Sequence, residues 1–182
     1  MPRKETITKQ EIREAAFKLA RQSGMESVTA RKLAEFIGCS TQPIFRNYKN
    51  MEECLDEVYE DTLAFFDEFT KNCSLKSVLP FVTLGISYIS FSQQETNLFR
   101  FLFMTKNTHG MNLYSLLNSR TNAVIKEMNA CKESGGRNPE EIFMKMWMLI
   151  HGAACMSVTG DYDLTLEETK HQLEYAYRAF VR

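Results

Sequence analysis

The chain has 182 residues, 44% of them apolar and 25% charged, a composition that suits one or two soluble domains around a real core. Five cysteines stand singly with no CxxC pair, which argues against a disulfide framework or a cysteine zinc site and suits a reducing compartment. The net charge of −1 conceals an asymmetry: residues 1–50 carry ten Lys/Arg against five Asp/Glu, a net +5, and residues 51–182 carry 12 against 18, a net −6. A basic head on an acidic body is the pattern of a module that meets a polyanion, joined to one that does not.

The run Thr8-Lys9-Gln10-Glu11 is a capping box that predicts a helix start, and Ile12, Ala15, Ala16, Leu19 and Ala20 continue it along one face as far as a left-handed stop at Gly24. Thr29 can cap a second helix with inward Ala30, Leu33, Ala34 and Ile37, ending at Gly38. Ser40 follows two residues later as the predicted cap of a third helix, Thr41 to about Tyr48, with Pro43 in its first turn. Asn50-Met51-Glu52-Glu53 predicts the start of a fourth, whose inner side carries Leu55, Val58, Tyr59, Thr62, Phe65, Phe66 and Phe69. Further helices are predicted near 75–92, 94–106, 111–132, 139–159 and 166–181, with Pro80 either opening or kinking the first of these and a third capping box at Thr165–Glu168 opening the last. No segment alternates as a strand does, so the fold class is all-α. The longest nearly apolar run, residues 80–91, is shorter than the roughly 20 residues of a bilayer span, and no leader-like pattern opens the chain, so a soluble cytoplasmic protein with no membrane partner is expected.

Residues 29–48 read as helix, tight Gly-containing turn and short helix, the geometry of a helix-turn-helix. Ile44, and with it Phe45, can pack inward, leaving Thr41, Gln42, Pro43, Arg46 and Asn47 to face out. In such a motif the second helix enters the major groove of double-stranded DNA. Gln42 suits adenine N6/N7, Arg46 suits guanine O6/N7 or a phosphate, and Pro43 suits a thymine methyl. Thr29 and Arg31 stand at a helix N-terminus that favours a phosphate, and Arg3, Lys4 and Lys9 add a basic arm.

These residues resemble a known family. The runs Ile12–Ala16, Gly24–Thr29, Lys32-Leu33-Ala34, Gly38-Cys39-Ser40, Ile44–Tyr48 and Glu52–Leu55 are similar to the N-terminal signature of TetR-type transcriptional regulators, over about 45 residues. Residues 97–103 and Trp147–Gly152 resemble segments of that family's effector-binding half. The resemblance implies a DNA-binding domain at 1–49, with Ser40, Tyr48 and Lys49 joining the contacts named above, and a helical effector-binding and dimerisation domain at 50–182. It also implies about nine helices, a homodimer through helices near 139–159 and 166–181, and repression of a palindromic operator released by a small-molecule effector. Two positions depart from the pattern: Phe45 stands where a phosphate-contacting Tyr is usual, and Met51 where a Lys is usual.

Aromatic and Met residues concentrate between Phe65 and Met156. Such stripes are core first, but Met beside aromatics can also line an adaptable apolar pocket. The effector contacts expected among them are Phe66, Phe103, Tyr114, Trp147 and His151, with His151 the polar group that orients a ligand. Two other readings stay open. One is a TetR-like interaction protein with weakened DNA binding; the other is a metal-dependent helical-bundle enzyme, for which only Glu168-Thr-Lys-His171 fits the Glu-x-x-His pattern. No phosphate loop, nucleophile elbow or HExxH motif appears, so neither catalysis nor a cofactor is expected.

Overall fold

A computed structural model describes residues 7–105 and 122–181, and among these every regular element is helical. Helix α1 (Lys9–Ser23) begins at the predicted capping box: Thr8 Oγ1 accepts from the Glu11 N–H at 3.2 Å, and Glu11 Oε2 accepts from the Thr8 N–H at 2.7 Å. Two donors orphaned by helix geometry are thus satisfied reciprocally. Gly24 ends α1 at φ +82° and ψ 161°, a positive-φ region outside the left-handed helical one predicted, and leads into a single 3-10 turn, Met25–Ser27.

Helix α2 (Ala30–Ile37) is capped by Thr29, whose hydroxyl accepts from the Lys32 N–H at 3.3 Å, and it stops at Gly38 in the left-handed conformation. Helix α3 (Gln42–Asn47) starts one residue later than predicted. The N–H groups of Ile44 and Phe45 donate to the Thr41 carbonyl, so Thr41 rather than Ser40 holds the cap position, and its hydroxyl makes no capping bond. Pro43 falls at the second helical position, where a missing N–H breaks nothing. Helix α4 (Met51–Lys71) opens where Asn50 Oδ1 accepts from the Glu53 N–H at 2.9 Å.

Helix α5 (Val82–Gln94) starts well after the predicted residue 75 because Pro80 and Phe81 form the turn before it. Phe81 is held at φ +66°, a conformation that costs a bulky residue on the order of 1–3 kcal/mol. The buried ring, 5.8 Å from Phe143, and the Glu127 carboxylate, which accepts from the Phe81 N–H at 2.6 Å, offset that cost. Helix α6 (Thr96–Phe99) passes into one π-helical turn, Arg100–Met104. The remaining elements are α7 (Ala123–Glu133), α8 (Pro139–Thr159) and α9 (Leu166–Phe180), the last opened by a second complete capping box at Thr165 and Glu168. Among the described residues there are nine α-helices and no strand. The part of the predicted 111–132 helix before 122 lies outside the described residues.

The chain divides into two compact units. The first comprises the described residues up to Phe65 together with Asn97–Thr105, and its core gathers Ile12, Ala16 and Leu19 of α1, Leu33 of α2, Ile44 of α3, and Cys54, Val58 and Leu63 of α4, all buried. Cys54 and Leu63 join a face of α4 that the sequence pattern placed around Leu55, which is only half-buried.

The second unit comprises Phe66–Thr96 and the described residues from 122 onward. Its centre is α5, buried from Leu84 to Ser92 on every side. Gly85 lets α5 approach both α8 and α9, since a Cβ there would lie 2.8 Å from Ile150 Cδ1 and 2.9 Å from Leu173 Cδ1. Helix α8 buries Ile142, Phe143, Met146, Trp147, Ile150 and Ala154 as one continuous face. Leu149 and Met156 lie off this face and are exposed. By length and composition alone α8 could cross a bilayer, which residues 80–91 could not, but its buried face packs on α5 and α9.

Candidate nucleic-acid interface

The turn between α2 and α3 closes through the Gly38 N–H donating to Glu35 O (3.1 Å) and the Cys39 N–H donating to Ala34 O (2.9 Å). From there the 3.6-residue period decides what each α3 side chain can do. Ile44 and Tyr48 point into the core, while Thr41, Gln42, Phe45, Arg46 and Lys49 are exposed. Phe45 therefore does not pack inward beside Ile44: 53% of its surface remains open, on the same stripe as Gln42, Arg46 and Lys49. Ser40, Thr29 and Arg31 are exposed, and Pro43 is half-buried. Asn47 is half-buried, with Nδ2 donating to Pro43 O at 2.8 Å. Tyr48 is only 2% exposed and its hydroxyl donates to Glu57 Oε2 at 2.8 Å, so it belongs to the support of the motif rather than to its outer surface.

The positive charge of the head is not spread evenly. Lys9 Nζ lies 2.6 Å from Glu57 and 3.4 Å from Glu53, and Arg13 grips Asp61 through two bonds of 2.6 and 2.7 Å. Lys9 also sits over the Tyr48 ring at 4.6 Å. It is thus part of a clamp between α1 and α4, not of a basic arm, while Arg3 and Lys4 lie outside the described residues. This clamp was missed in the sequence, although Glu53, Glu57 and Asp61 recur at four-residue spacing on α4, as Lys9 and Arg13 do on α1. Between 29 and 50 the cations Arg31, Lys32, Arg46 and Lys49 face one acid, Glu35, and all five are exposed. Lys32 was not singled out earlier, yet it stands beside the Thr29 cap in the first turn of α2.

Burial alone would push the Glu57 carboxyl up, but hydrogen bonds from Lys9 and Tyr48 outweigh it and hold the group below its ordinary 4.5. Glu53 is lowered mainly by the Lys49 N–H, which donates to it at 2.9 Å. A depressed folded-state value means stability that is present above the ordinary value and lost as pH falls below it. Thermal unfolding is therefore expected to show the first unit weakening as pH drops below 4.5, with a shallower dependence in Lys9→Met; equal slopes would contradict the clamp.

An open groove of about 650 Å³ adjoins the end of α3 and is lined by Phe45, Arg46 and Lys49 and by the acids Glu52, Glu53 and Asp56. These carboxylates repel phosphate, whereas Arg46 and Lys49 on the same groove attract it.

A second cluster occupies the other unit. Residues 147, 151 and 155 fall on one stripe of α8, and there Trp147 meets the Tyr88 ring at 4.7 Å and stacks on His151 at 17°. Burial raises the Tyr88 hydroxyl well above its ordinary value and lowers that of His151, favouring the neutral form of each, with Tyr88 Oη 3.0 Å from His151 Nδ1 and Cys155 Sγ 3.5 Å from Nε2. The buried Trp147 Nε1 has no hydrogen-bond partner among the described residues. Phe66 packs edge-on to Tyr88 and Phe91 in this unit. Phe103 belongs to the first unit, against Phe99, and Tyr114 lies outside the described residues. Glu168, half of the Glu-x-x-His match, is engaged in the Thr165 capping box, and among the described residues no three His, Cys, Asp or Glu side chains converge as metal ligands would.

The helix-turn-helix segment has a counterpart among known families. Residues 12–58, from α1 into α4, match the family model described as bacterial regulatory proteins, tetR family. That match spans 47 of the 182 residues, so the likeness to the TetR family is one of the N-terminal segment. Two solved structures share the fold of nearly the whole chain. One, from Vibrio parahaemolyticus and ascribed to a TetR-family transcriptional regulator, has a TM-score of 0.65 at 17% identity and covers 94% of this chain and 97% of its own. The other, from Rhodococcus sp. and likewise ascribed to the TetR family, has a TM-score of 0.61 at 13% identity and covers 94% of this chain and 100% of its own. No curated protein matches the chain. The described residues form an all-helical fold shared with these two structures, and the family match includes α2, the turn and α3.

Proposed function

We propose that this protein is a TetR-type transcriptional regulator, a cytoplasmic homodimer that represses transcription from a palindromic operator and is released by a small apolar or aromatic effector. The observation that carries the DNA half is the exposed stripe of α3, anchored from behind by a fully buried Ile44. Residues 1–49 provide the DNA contacts and 50–182 the effector and dimer surfaces. Gln42 and Arg46 read base edges; Thr29, Arg31, Ser40, Thr41 and Lys49 hold phosphate or sugar; Pro43 and Asn47 complete the surface. Arg46→Ala is expected to weaken operator binding by about 1–3 kcal/mol and to relax specificity at one base pair. Unchanged affinity in a titration of the duplex would remove Arg46 from this role.

Dimerisation is supported by the outer face of α8, where Met144, Met148, Leu149 and Met156 are exposed and Gly152 has nothing within 4 Å of its Cβ position, and by Tyr175 on α9. Met148 is 64% and Tyr175 72% open, more than a water-facing surface favours. Met148→Glu sets like charges together across a two-fold axis, so sedimentation should show at least about a tenfold weaker dimer without loss of helicity. An unaltered dimer would place the interface elsewhere. For the effector, Phe66, Trp147 and His151 are the contacts proposed, because a buried indole N–H without a partner offers a donor to an acceptor group.

A further inference from the structure

We propose that Phe45 reads a thymine C5-methyl group in the DNA major groove, an assignment that rests on the operator-binding reading above. Phe45 is a large apolar side chain, 53% exposed, on the recognition helix itself. Its exposed neighbours along the chain are the polar Gln42, Arg46 and Lys49 rather than further apolar side chains. Among the described residues the other exposed large apolar side chain of the helix-turn-helix is Phe36 on α2, and Met144, Met148, Leu149 and Met156 share the outer face of α8.

A phenyl ring has no donor or acceptor, so it forms no hydrogen bond with phosphate. Across the major-groove edges of the four base pairs, every distinguishing group is a hydrogen-bond donor or acceptor except the thymine methyl. Phe45 lines one groove with Arg46, Lys49 and the acids Glu52, Glu53 and Asp56, whose carboxylates disfavour a phosphate against that side of the ring. Gln42 and Phe45 are three residues apart, about 4.5 Å along the helix axis, close to the roughly 3.4 Å rise between base pairs. A Gln42-adenine contact and a Phe45-thymine contact thus fall on the same or adjacent base pairs, and the specificity is for an A·T-containing step.

The test uses the full-length chain and the duplex it enriches from a randomised pool. Each thymine in a half-site is replaced in turn by deoxyuridine, which lacks only the methyl, and affinity is compared for the wild type and Phe45→Ala. The expected result is a loss of about three- to tenfold at one symmetry-related thymine pair for the wild type, with Phe45→Ala weaker on the thymine duplex and indifferent to the replacement. Coupling of this form is what a pairwise contact predicts. If the wild type binds specifically but no thymine matters, the inference is overturned while operator binding stands. The same holds if Phe45→Ala stays as sensitive to deoxyuridine as the wild type, as a Pro43 contact would make it. If no duplex is enriched, the operator-binding reading fails and the inference with it.

Discussion

Replacing Ile44 with alanine is expected to destabilise the first unit by about 2–5 kcal/mol, the range for truncating a fully buried aliphatic side chain, and to abolish sequence-specific DNA binding. Helix α3 has only six residues, far too few to hold helical shape by hydrogen bonding alone. Within α3, Ile44 is the one buried residue, and the bond from the Tyr48 N–H to its carbonyl at 2.9 Å ends the helix. Gln42, Phe45 and Arg46 are therefore positioned through Ile44 within α3, with buried Tyr48 supporting the helix end. Denaturant unfolding and duplex binding together separate this effect from that of Arg46→Ala, which removes an exposed group and should lower affinity without lowering stability. An Ile44→Ala protein that keeps both its stability and its specificity would contradict the anchoring role.

Gly85→Ala tests the second unit with an expected change of sign. In an exposed helix the substitution stabilises, by up to about 1 kcal/mol. At residue 85 the new methyl would lie 2.8–2.9 Å from Ile150 and Leu173, closer than packed carbons come, and both neighbours are themselves buried with nowhere to retreat. The cost of such overpacking is typically about 1–3 kcal/mol, so thermal unfolding should occur at a lower temperature than in the wild type. Ile150→Val removes the nearer obstructing carbon, Cδ1, and the double variant should recover part of the loss, a coupling expected of residues in contact. Stabilisation by Gly85→Ala would mean that α5, α8 and α9 are not packed as closely as described.

The features legible in the sequence are those that a few neighbouring residues decide. Thr8 with Glu11, Thr29 ahead of α2, and Thr165 with Glu168 each cap a helix because donor and acceptor lie three residues apart. The start of α3 is less local: it depends on how the turn closes through Cys39 and Ala34, and that closure moved the cap from Ser40 to Thr41. Phe45 was illegible for a related reason. In a six-residue helix, adjacent Ile44 and Phe45 fit either phase of an apolar stripe, and only the packed core selects Ile44. The clamp of Lys9 and Arg13 with Glu57 and Asp61 joins residues 48 positions apart, beyond any local pattern. On the effector side, aromatic and Met residues of core and surface have the same composition, so Met146, buried, and Met148, exposed, look alike until α8 is packed.

The measurement that bears most directly on the central claim is selection of duplexes from a randomised pool by the full-length protein at two salt concentrations. The account predicts enrichment of a palindrome whose two halves lie about one or more helical turns apart, with log affinity falling linearly against log salt as phosphate contacts release counterions. Failure to enrich any sequence at either salt would contradict it, and would favour an interaction protein that keeps the TetR fold while Phe45 and Met51 have replaced the usual backbone contacts.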